Sequence, residues 1–409
     1  MPSQEKLQAL AELTIKCGIG LMPGQEMILY VDINDAPLAR LVIAEAYKAG
    51  AKSVTTFWID EQSTLIRFDN GSDEAIAYAP SWLPNAIAEQ LNDRAAYLRI
   101  ASANPSLLKN VDPAKVATSS KAQSIAGKSI SEAITTGACN WCIVPAASKA
   151  WAKQVFPNDE ESQAIEKLWD LIFHCTRSDQ PDPVAAWNAH CEQVGKRMKR
   201  MNEAKFDSLH FTGPGTDFTV GLVEGHIWEG VTATAKNGAT CSPNIPTEEI
   251  FSMPHRARVN GTVRSTKPLS LRGQIVDGIS MTFVDGVATQ VSAEKGEETL
   301  VGLLNTDEGA RRLGEIAIVP HNSPISQSGI TFFNTLFDEN ASCHIAMGQC
   351  YGTNLEGFEN MTEEEKLAAG ANDSMIHVDW MIGSDQVNLD GIMKDGTRVP
   401  LMRGCEWVD

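Results

Sequence analysis

The chain has 409 residues and a mass of 44.3 kDa, which is more than one ordinary core of about 100 to 200 residues requires, so two domains are expected. With 43% hydrophobic and 21% charged residues, the composition is globular and excludes disordered, collagen-like and coiled-coil chains. The net charge of -18, from 34 Lys and Arg against 52 Asp and Glu, opposes binding to a phosphate backbone. Nucleic acid is therefore not an expected partner.

The N-terminal segment and the cysteines indicate where the protein works. MPSQEKLQALAELTIKCGIGL is amphipathic and lacks the basic start, apolar centre and cleavage site of a signal peptide. No stretch reaches about 18 uninterrupted apolar residues, so no membrane-spanning helix is expected. The 9 cysteines lie scattered through hydrophobic segments and suit reduced thiols better than a disulfide framework. We therefore expect a cytoplasmic location.

The first half alternates helical and extended patterns. Helical spacing runs from Lys6 to Cys17 and stops at Met22-Pro23-Gly24-Gln25, after which EMILYVDI predicts a buried strand. A second helix is predicted from Asp35 to Ala49, and SVTTFWI, RAAYLRIAS and CNWCIVP predict further strands. The strand, helix, strand order predicts an α/β domain with an open, mostly parallel sheet.

The second half changes to short alternating strands and Gly-rich turns after a helix predicted from Pro181 to Ala204. We place the domain boundary there. Residues 1–204 are expected to form an N-terminal α/β domain that walls a cleft, and residues 205–409 an α+β domain with barrel-like strands. Turns are predicted at residues 260–261, 277–278 and 285–286, and one helix from Asp307 to Leu313.

Five potential metal ligands occur in four separate segments of the second half. A site for two cations needs several carboxylates and imidazoles, which these residues supply. In IHVDWMI, the two ligand candidates are two positions apart and share one face of a strand. The candidates are Glu249, Glu315, His344, His377 and Asp379.

Other interpretations of these residues remain open at this point. Each histidine can be an ordinary surface or core residue, and Glu315 can be paired with an arginine. Glu248 and Glu249 point to opposite faces if the segment is extended, so only one of them reaches a given site. Position alone does not choose between them.

Two further motifs predict less. Cys139-Asn140-Trp141-Cys142 has the CxxC form of a thiol oxidoreductase, but redox chemistry favours this motif at a helix N-terminus, and here a strand continues. Gly-Pro-Gly-Thr-Asp from Gly213 lacks the lysine of a phosphate loop and is interpreted as a turn. HExxH, GxSxG and paired CxxC motifs do not occur in the sequence.

Four long motifs resemble the M29 family of metalloaminopeptidases, the aminopeptidase T and aminopeptidase S group. They are NIPTEEIF with GTVRSTKPL, LNTDEGARRLGEIAIV, LFDENASCHIAMGQCY and IHVDWMIGS, in family-like order and spacing across residues 244–384. LMPGQEMILYV and GTDFTVGL extend the resemblance, more thinly, over most of the chain.

The resemblance implies a metal-dependent aminopeptidase that hydrolyses the N-terminal residue from short peptides with a free N-terminus, through a metal-bridged water. It implies that residues 205–409 are the catalytic domain with two divalent metal ions per chain, and that residues 1–204 contribute to a homodimer. A mixed carboxylate and imidazole site accepts zinc, cobalt, manganese or magnesium. The resemblance also matches Tyr351 to a tyrosine of the family's active site, and we expect its phenol to donate a hydrogen bond to the oxyanion, while Glu248 is our hypothesis for the general base. The alternative function is a metal-containing peptide-binding protein without turnover. The implied metal ligands are the five residues already named, Glu249, Glu315, His344, His377 and Asp379.

Overall fold

The computed structural model describes residues 2–102, 104, 107–271 and 274–408. The chain divides into two compact units. The first contains the residues up to Cys191 together with Thr232–Pro246, and the second contains Glu192–Val231 and the chain from Thr247 onward. This division falls inside the helix Pro183–Ala204, whereas the boundary predicted from the sequence falls at the end of that helix.

A four-stranded parallel sheet forms the centre of the first unit, in the order β2-β1-β3-β4. Strand β1 is buried along most of its length because both of its neighbours are strands and its side chains are apolar, as in Met27, Leu29 and Val31. The predicted open, parallel α/β sheet is confirmed. The strands are β1 (Glu26–Asp32), β2 (Ser53–Ile59), β3 (Ala96–Ala101) and β4 (Trp141–Pro145).

Helices occupy the segments before, between and after these strands. The helix predicted from Lys6 is α1 (Gln4–Leu13), which Ser3 caps by accepting the backbone N–H of Lys6, and a π-helical turn (Thr14–Gly18) continues it. The remaining helices are α2 (Ala36–Lys48), α3 (Glu61–Asn70), α4 (Asp73–Ala77), α5 (Trp82–Asn92), α6 (Pro113–Ala126), α7 (Lys128–Thr135), α8 (Lys149–Val155), α9 (Glu161–Cys175) and α10 (Pro183–Ala204).

The second unit contains a large antiparallel sheet of eight strands, in the order β14-β13-β10-β6-β5-β18-β19-β20. The turn predicted from Gly213 joins β5 to β6, and the turn predicted at residues 285–286 joins β13 to β14. The strands are β5 (Ser208–Gly213), β6 (Thr216–Leu222), β10 (Pro254–Arg264), β13 (Ser280–Val284), β14 (Val287–Ser292), β18 (Asn388–Ile392), β19 (Arg398–Arg403) and β20 (Glu406–Trp407).

A smaller antiparallel sheet, in the order β17-β16-β15-β9, completes the main framework of the second unit. Its strands are β9 (Ile250–Ser252), β15 (Leu313–Ile318), β16 (His344–Gly348) and β17 (His377–Met381). Strands β11 (Leu269–Leu271) and β12 (Gln274–Val276) form a separate two-stranded ribbon of this unit, and β7 (Ala233–Thr234) and β8 (Thr240–Cys241) form another in the segment Thr232–Pro246 of the first unit. The helices are α11 (Glu297–Leu304), α12 (Pro324–Gln327), α13 (Thr335–Asp338) and α14 (Glu363–Ala368).

The prediction of barrel-like strands is not confirmed. The eight-stranded sheet ends in the edge strands β14 and β20, and the four-stranded sheet ends in β17 and β9. Both sheets are therefore open, and the strands within the described ranges form no closed barrel. Nor do those ranges hold a helix that combines the length and the apolar character needed to cross a membrane.

Two local predictions are wrong for identifiable reasons. Asn260-Gly261 lies inside β10 instead of forming a turn, because Gly261 (φ 107°) lets the strand approach its neighbour where a Cβ would lie 2.2 Å from the Asp217 carbonyl oxygen. The helix predicted from Asp307 is only a short 3-10 turn, Gly309–Arg311. The carboxylate of Asp307 accepts the backbone N–H of both Ala310 and Met375, which ties this segment to another part of the chain.

Candidate metal centre

The register of the four-stranded sheet places the predicted ligands on one face. Ala346 in β16 pairs with Glu315 in β15 on one side and with Asp379 in β17 on the other. Directly opposed residues of antiparallel strands project to the same face, and residues two apart along a strand do so as well. His344 and His377 therefore share the face of the two carboxylates.

Three of the predicted ligands come together in the tightest group. Glu249, the residue immediately before β9, offers Oε2 at 3.0 Å from His344 Nε2. Glu315 offers Oε1 at 3.6 Å from the same nitrogen. The three side chains are buried, and one potential ligand atom from each lies within 4.8 Å of the others.

The other two predicted ligands adjoin this group through Glu315. Its second oxygen, Oε2, lies 3.8 Å from His377 Nε2, which is in turn 3.6 Å from Asp379 Oδ1. One carboxylate thus faces both imidazoles, with a different oxygen toward each. The structure brings all five predicted ligands into one continuous cluster.

Both imidazoles are oriented in the way that metal-binding histidines require. His344 Nδ1 lies 3.1 Å from the carbonyl oxygen of Ser342, and His377 Nδ1 lies 2.8 Å from that of Gln349. Because a carbonyl oxygen only accepts, each Nδ1 carries a hydrogen and each Nε2 presents its lone pair to the carboxylates when the ring is neutral. Backbone carbonyls therefore set the tautomer of both rings.

The electrostatics of the cluster favour added positive charge. Burial, together with the charges of Asp379 and Glu249, raises the pKa of Glu315 to about 7. Burial acts against the charged form of His377, but Asp379 and Glu315 outweigh it and raise the pKa of that imidazole to about 9. Closely packed carboxylates thus stabilise any cation among them.

Two buried oxygen atoms test whether the residues fit a metal. Glu249 Oε2 and Asp379 Oδ1 are buried, and within the described part of the chain neither accepts a hydrogen bond when the imidazoles are neutral. In that form His344 Nε2, 3.0 Å from Glu249 Oε2, presents a lone pair and no hydrogen. Buried carboxylate oxygens without a donor are costly unless they coordinate a cation. Two such oxygens beside two Nε2 atoms are a donor set suited to divalent metal ions, so the residues fit.

Glu339 joins the cluster although the sequence did not single it out. Burial, followed by the charges of Glu249 and Asp379, raises the pKa of its carboxyl well above the usual range. Together with Asp379 it lines a pocket that Leu269 and Met381 also border. The available signal was its position five residues before His344 in LFDENASCHIA, but a turn residue has no strand periodicity from which to predict its direction.

Of the two predicted catalytic residues, Tyr351 contacts the ligand candidate His377, and Glu248 adjoins the ligand candidate Glu249 along the chain. Glu248 is 4% exposed, and its backbone N–H donates to Asn340 Oδ1 at 2.7 Å. Tyr351 packs its ring 4.9 Å from that of His377 and edge-on to Phe251 at 5.9 Å. Tyr351 is 43% exposed overall, but desolvation around its hydroxyl and the nearby carboxylates raise its pKa, so the hydroxyl keeps its proton.

The CxxC motif is unsuited to thiol chemistry. Cys139 and Cys142 are free, buried thiols, and Cys142 lies within strand β4. Burial raises the pKa of Cys139 to about 12 and that of Cys142 well above the usual range. Since the thiolate is the reactive form, these cysteines are structural.

Comparison with known proteins agrees with this geometry. The family model described as thermophilic metalloprotease (M29) matches residues 3–407. Aminopeptidase T of Thermus aquaticus is 48% identical over 404 residues, covering 99% of this chain and 98% of that protein. Aminopeptidase 2 of Geobacillus stearothermophilus is 45% identical over 404 residues, with the same coverage of 99% and 98%.

A solved structure gives the same result for the fold. Wild-type AmpT from Thermus thermophilus superposes with a TM-score of 0.94 at 45% sequence identity, covering 99% of each chain. From the family match, the identities and the shared fold, we conclude that this chain belongs to the M29 family of metalloproteases.

Proposed function

We propose that this protein is a metal-dependent aminopeptidase that releases the N-terminal residue of short peptides at a centre for two divalent cations. The observation that carries the proposal is the one-faced cluster of carboxylates and Nε2 atoms around Glu315. Its support is the family membership and the relatives that bear the name aminopeptidase.

The charge of the cluster supports two cations. Four carboxylates line it, and each carries one negative charge when ionised, which two divalent ions offset. Bound divalent cations would supply Lewis acidity that polarises a peptide carbonyl and activates water. The residues that would hold them are Glu249, Glu315, His344, His377 and Asp379, with Glu339 beside them.

Two residues of the chain are assigned to the chemistry. Glu248 is the proposed general base, since it is the buried carboxylate that adjoins the ligand Glu249 yet lies outside the tight ligand group. Tyr351 is the proposed donor to the developing oxyanion, because its hydroxyl stays protonated and its ring is held against His377.

A free N-terminus fits a divalent metal centre better than an acetylated one. Its neutral amine offers a lone pair that a bound cation would accept, whereas the lone pair of an acetylated nitrogen is delocalised into the amide. The ligands Glu249, Glu315 and His344 are at most 7% exposed, and such deeply placed side chains are reached by a chain end more easily than by the middle of a folded protein. A dipeptide should therefore be cleaved much faster than intact casein.

The deciding experiment measures release of free amino acid from matched N-free and N-acetylated dipeptides. The purified protein is assayed as isolated, after chelation, and after separate addition of zinc, cobalt, manganese or magnesium. Cleavage of N-free peptides alone, lost on chelation and restored by one of these ions, is the expected result and identifies the preferred metal. Binding of two metal ions per chain without cleavage would instead favour a peptide-binding protein, and cleavage indifferent to chelation would overturn the metal mechanism.

A homodimer and a cytoplasmic location belong to the same proposal. All the cysteines are free and most are buried, which suits a reducing compartment. The first unit exposes large apolar side chains whose burial between two chains would remove apolar surface from water. These include Ile33, Trp58, Ile66, Tyr78, Trp82 and Ile125. Analytical ultracentrifugation tests the dimer directly.

A further inference from the structure

One buried amide joins two segments that carry carboxylates of the metal centre. Asn340 is 0% exposed and lies in the 3-10 turn Glu339–Ala341, directly after Glu339 and four residues before His344. Its Oδ1 accepts the backbone N–H of Glu248 at 2.7 Å and the hydroxyl of Thr247 at 3.4 Å. The side chain therefore spans from the turn to the segment that precedes β9.

The nitrogen end of the amide also has hydrogen-bond partners. Asn340 Nδ2 donates to the carbonyl oxygen of Leu336 at 3.2 Å and lies 3.5 Å from Glu339 Oε1. The hydroxyl of Ser323 donates to the carbonyl oxygen of Asn340 itself at 3.3 Å. Because the Glu248 N–H only donates and the Leu336 carbonyl only accepts, these partners fix which end of the amide points each way.

This bridge lies where the sheet itself gives little support. Strand β9 begins at Ile250, which pairs with Ile318, so Glu249 stands one residue outside the ladder. The direction of its carboxylate depends on the backbone of residues 247–249, and Asn340 bonds that backbone from a buried position. A polar group buried beside a ligand in this way orients the ligand for the metal.

We propose that Asn340 is a positioning residue of the metal centre, holding the Thr247–Glu249 backbone and the Glu339 carboxylate in fixed relation to His344. The inference rests on the proposed function and adds a residue to it. Removing the amide frees the backbone that carries Glu249 and leaves a buried N–H at Glu248 without its partner.

The test compares Asn340→Leu with a matched control, Asn202→Leu. Asn202 makes the same kind of bridge, since its Oδ1 accepts the N–H of Trp228 at 2.8 Å and its Nδ2 donates to the Trp228 carbonyl at 2.9 Å. Asn340→Ala is a second variant for the case that the Asn340→Leu protein does not fold. Alanine leaves space for a water molecule that replaces some of the hydrogen bonds of the lost amide.

Co²⁺ is titrated into chelator-stripped protein, and both its dissociation constant and its visible spectrum are recorded with the Tm of the metal-free form. Both Asn340 variants should weaken Co²⁺ binding by about 10- to 100-fold and alter the spectrum. At saturating Co²⁺ they should lower kcat for an N-free dipeptide by about tenfold or more, with KM within about twofold of the parent. Asn202→Leu should lower the Tm alone.

The result that overturns the inference is equally specific. Asn340 variants that bind Co²⁺ as tightly as the parent, or an Asn202→Leu that weakens binding to the same extent, would show that the amide has only a general structural role. The two failures are distinguishable. A parent protein that binds no Co²⁺ would overturn the proposed function together with this inference, whereas a parent that binds Co²⁺ and Asn340 variants that bind it equally tightly would overturn this inference alone.

Discussion

Glu315 and Asp379 face each other across Ala346, each paired with that alanine from a neighbouring strand. Only a methyl group therefore stands between the two carboxylates on this face of the sheet. In each of the two neighbouring cross-strand pairs, the residue opposite the histidine is also small: Ala317 lies opposite His344, and Gly348 lies opposite His377. Space for cations above the sheet thus arises from register and small residues as much as from the ligands.

Ala346→Leu should fill this space. The larger side chain would project between the two carboxylates, so metal binding should be lost, and overpacking should cost about 1–3 kcal/mol of unfolding free energy. Metal content and denaturant unfolding measure the two effects. Ile345→Val, on the opposite face of the same strand, is the control and should retain metal. Full metal content in Ala346→Leu would contradict the geometry.

Glu315→Gln should remove metal-dependent stabilisation. Glu315 is the carboxylate that faces both imidazoles, and an amide is a poorer metal ligand than a carboxylate. With free metal at about 100 times its Kd, the parent should gain about 2.7 kcal/mol on binding, and the variant should gain little. Thermal unfolding with and without metal measures this difference. The exposed Glu308→Gln is the control, and a variant that responds to metal like the parent would argue against Glu315 as a ligand.

Tyr351→Phe should slow turnover without affecting the metal. Phenylalanine keeps the ring contacts with His377 and Phe251 but loses the hydroxyl donor. Loss of one oxyanion donor lowers kcat by about 100-fold or more. Steady-state kinetics and metal analysis on the same sample check both points. An unchanged rate would end the oxyanion role.

Glu248→Gln should separate chemistry from metal binding. The amide is close to the carboxylate in shape, and the backbone N–H of Glu248 remains bonded to Asn340. Loss of a general base lowers the rate by about 100- to 10,000-fold, while metal content should stay at the parental level. If the variant keeps full turnover with metal bound, the base is another group.

Asp35→Asn should change the pH dependence of stability in the first unit. Burial raises the pKa of Asp35 to about 6, above the value of about 3.9 for an unfolded chain. Between about pH 4 and about pH 6, Asp35 therefore holds a proton in the folded state that it has lost in the unfolded state. The free energy of unfolding of the parent falls as the pH rises through this range, by at most about 3 kcal/mol.

The asparagine variant does not titrate, so its stability relative to the parent should be greater at pH 7.5 than at pH 4. Denaturant unfolding at both pH values measures this difference. Asp69→Asn, at an exposed position of helix α3, serves as the control. An equal difference between variant and parent at the two pH values would argue against a buried, ionised Asp35.

The sequence by itself determined much of the framework and most of the cluster. Alternation in IHVDWMI placed His377 and Asp379 on one face, because the side-chain period of a strand is two. The apolar run EMILYVDI predicted a buried strand of a parallel sheet, and the structure has β1 at this position. Long motifs identified the family, which the comparisons confirmed.

Only the tertiary structure decided the remaining relationships, because each depends on residues far apart in the chain. Strand register placed Glu315 opposite Ala346. The glycine at position 261 is required by the close approach of a neighbouring strand, and not by a turn. Of the adjacent pair Glu248 and Glu249, periodicity did not choose between them and the resemblance named Glu249, which the structure places in contact with His344. Glu339 and Asn340 lie in a turn, where no periodicity predicts direction, and their roles follow from the segments that packing brings against them.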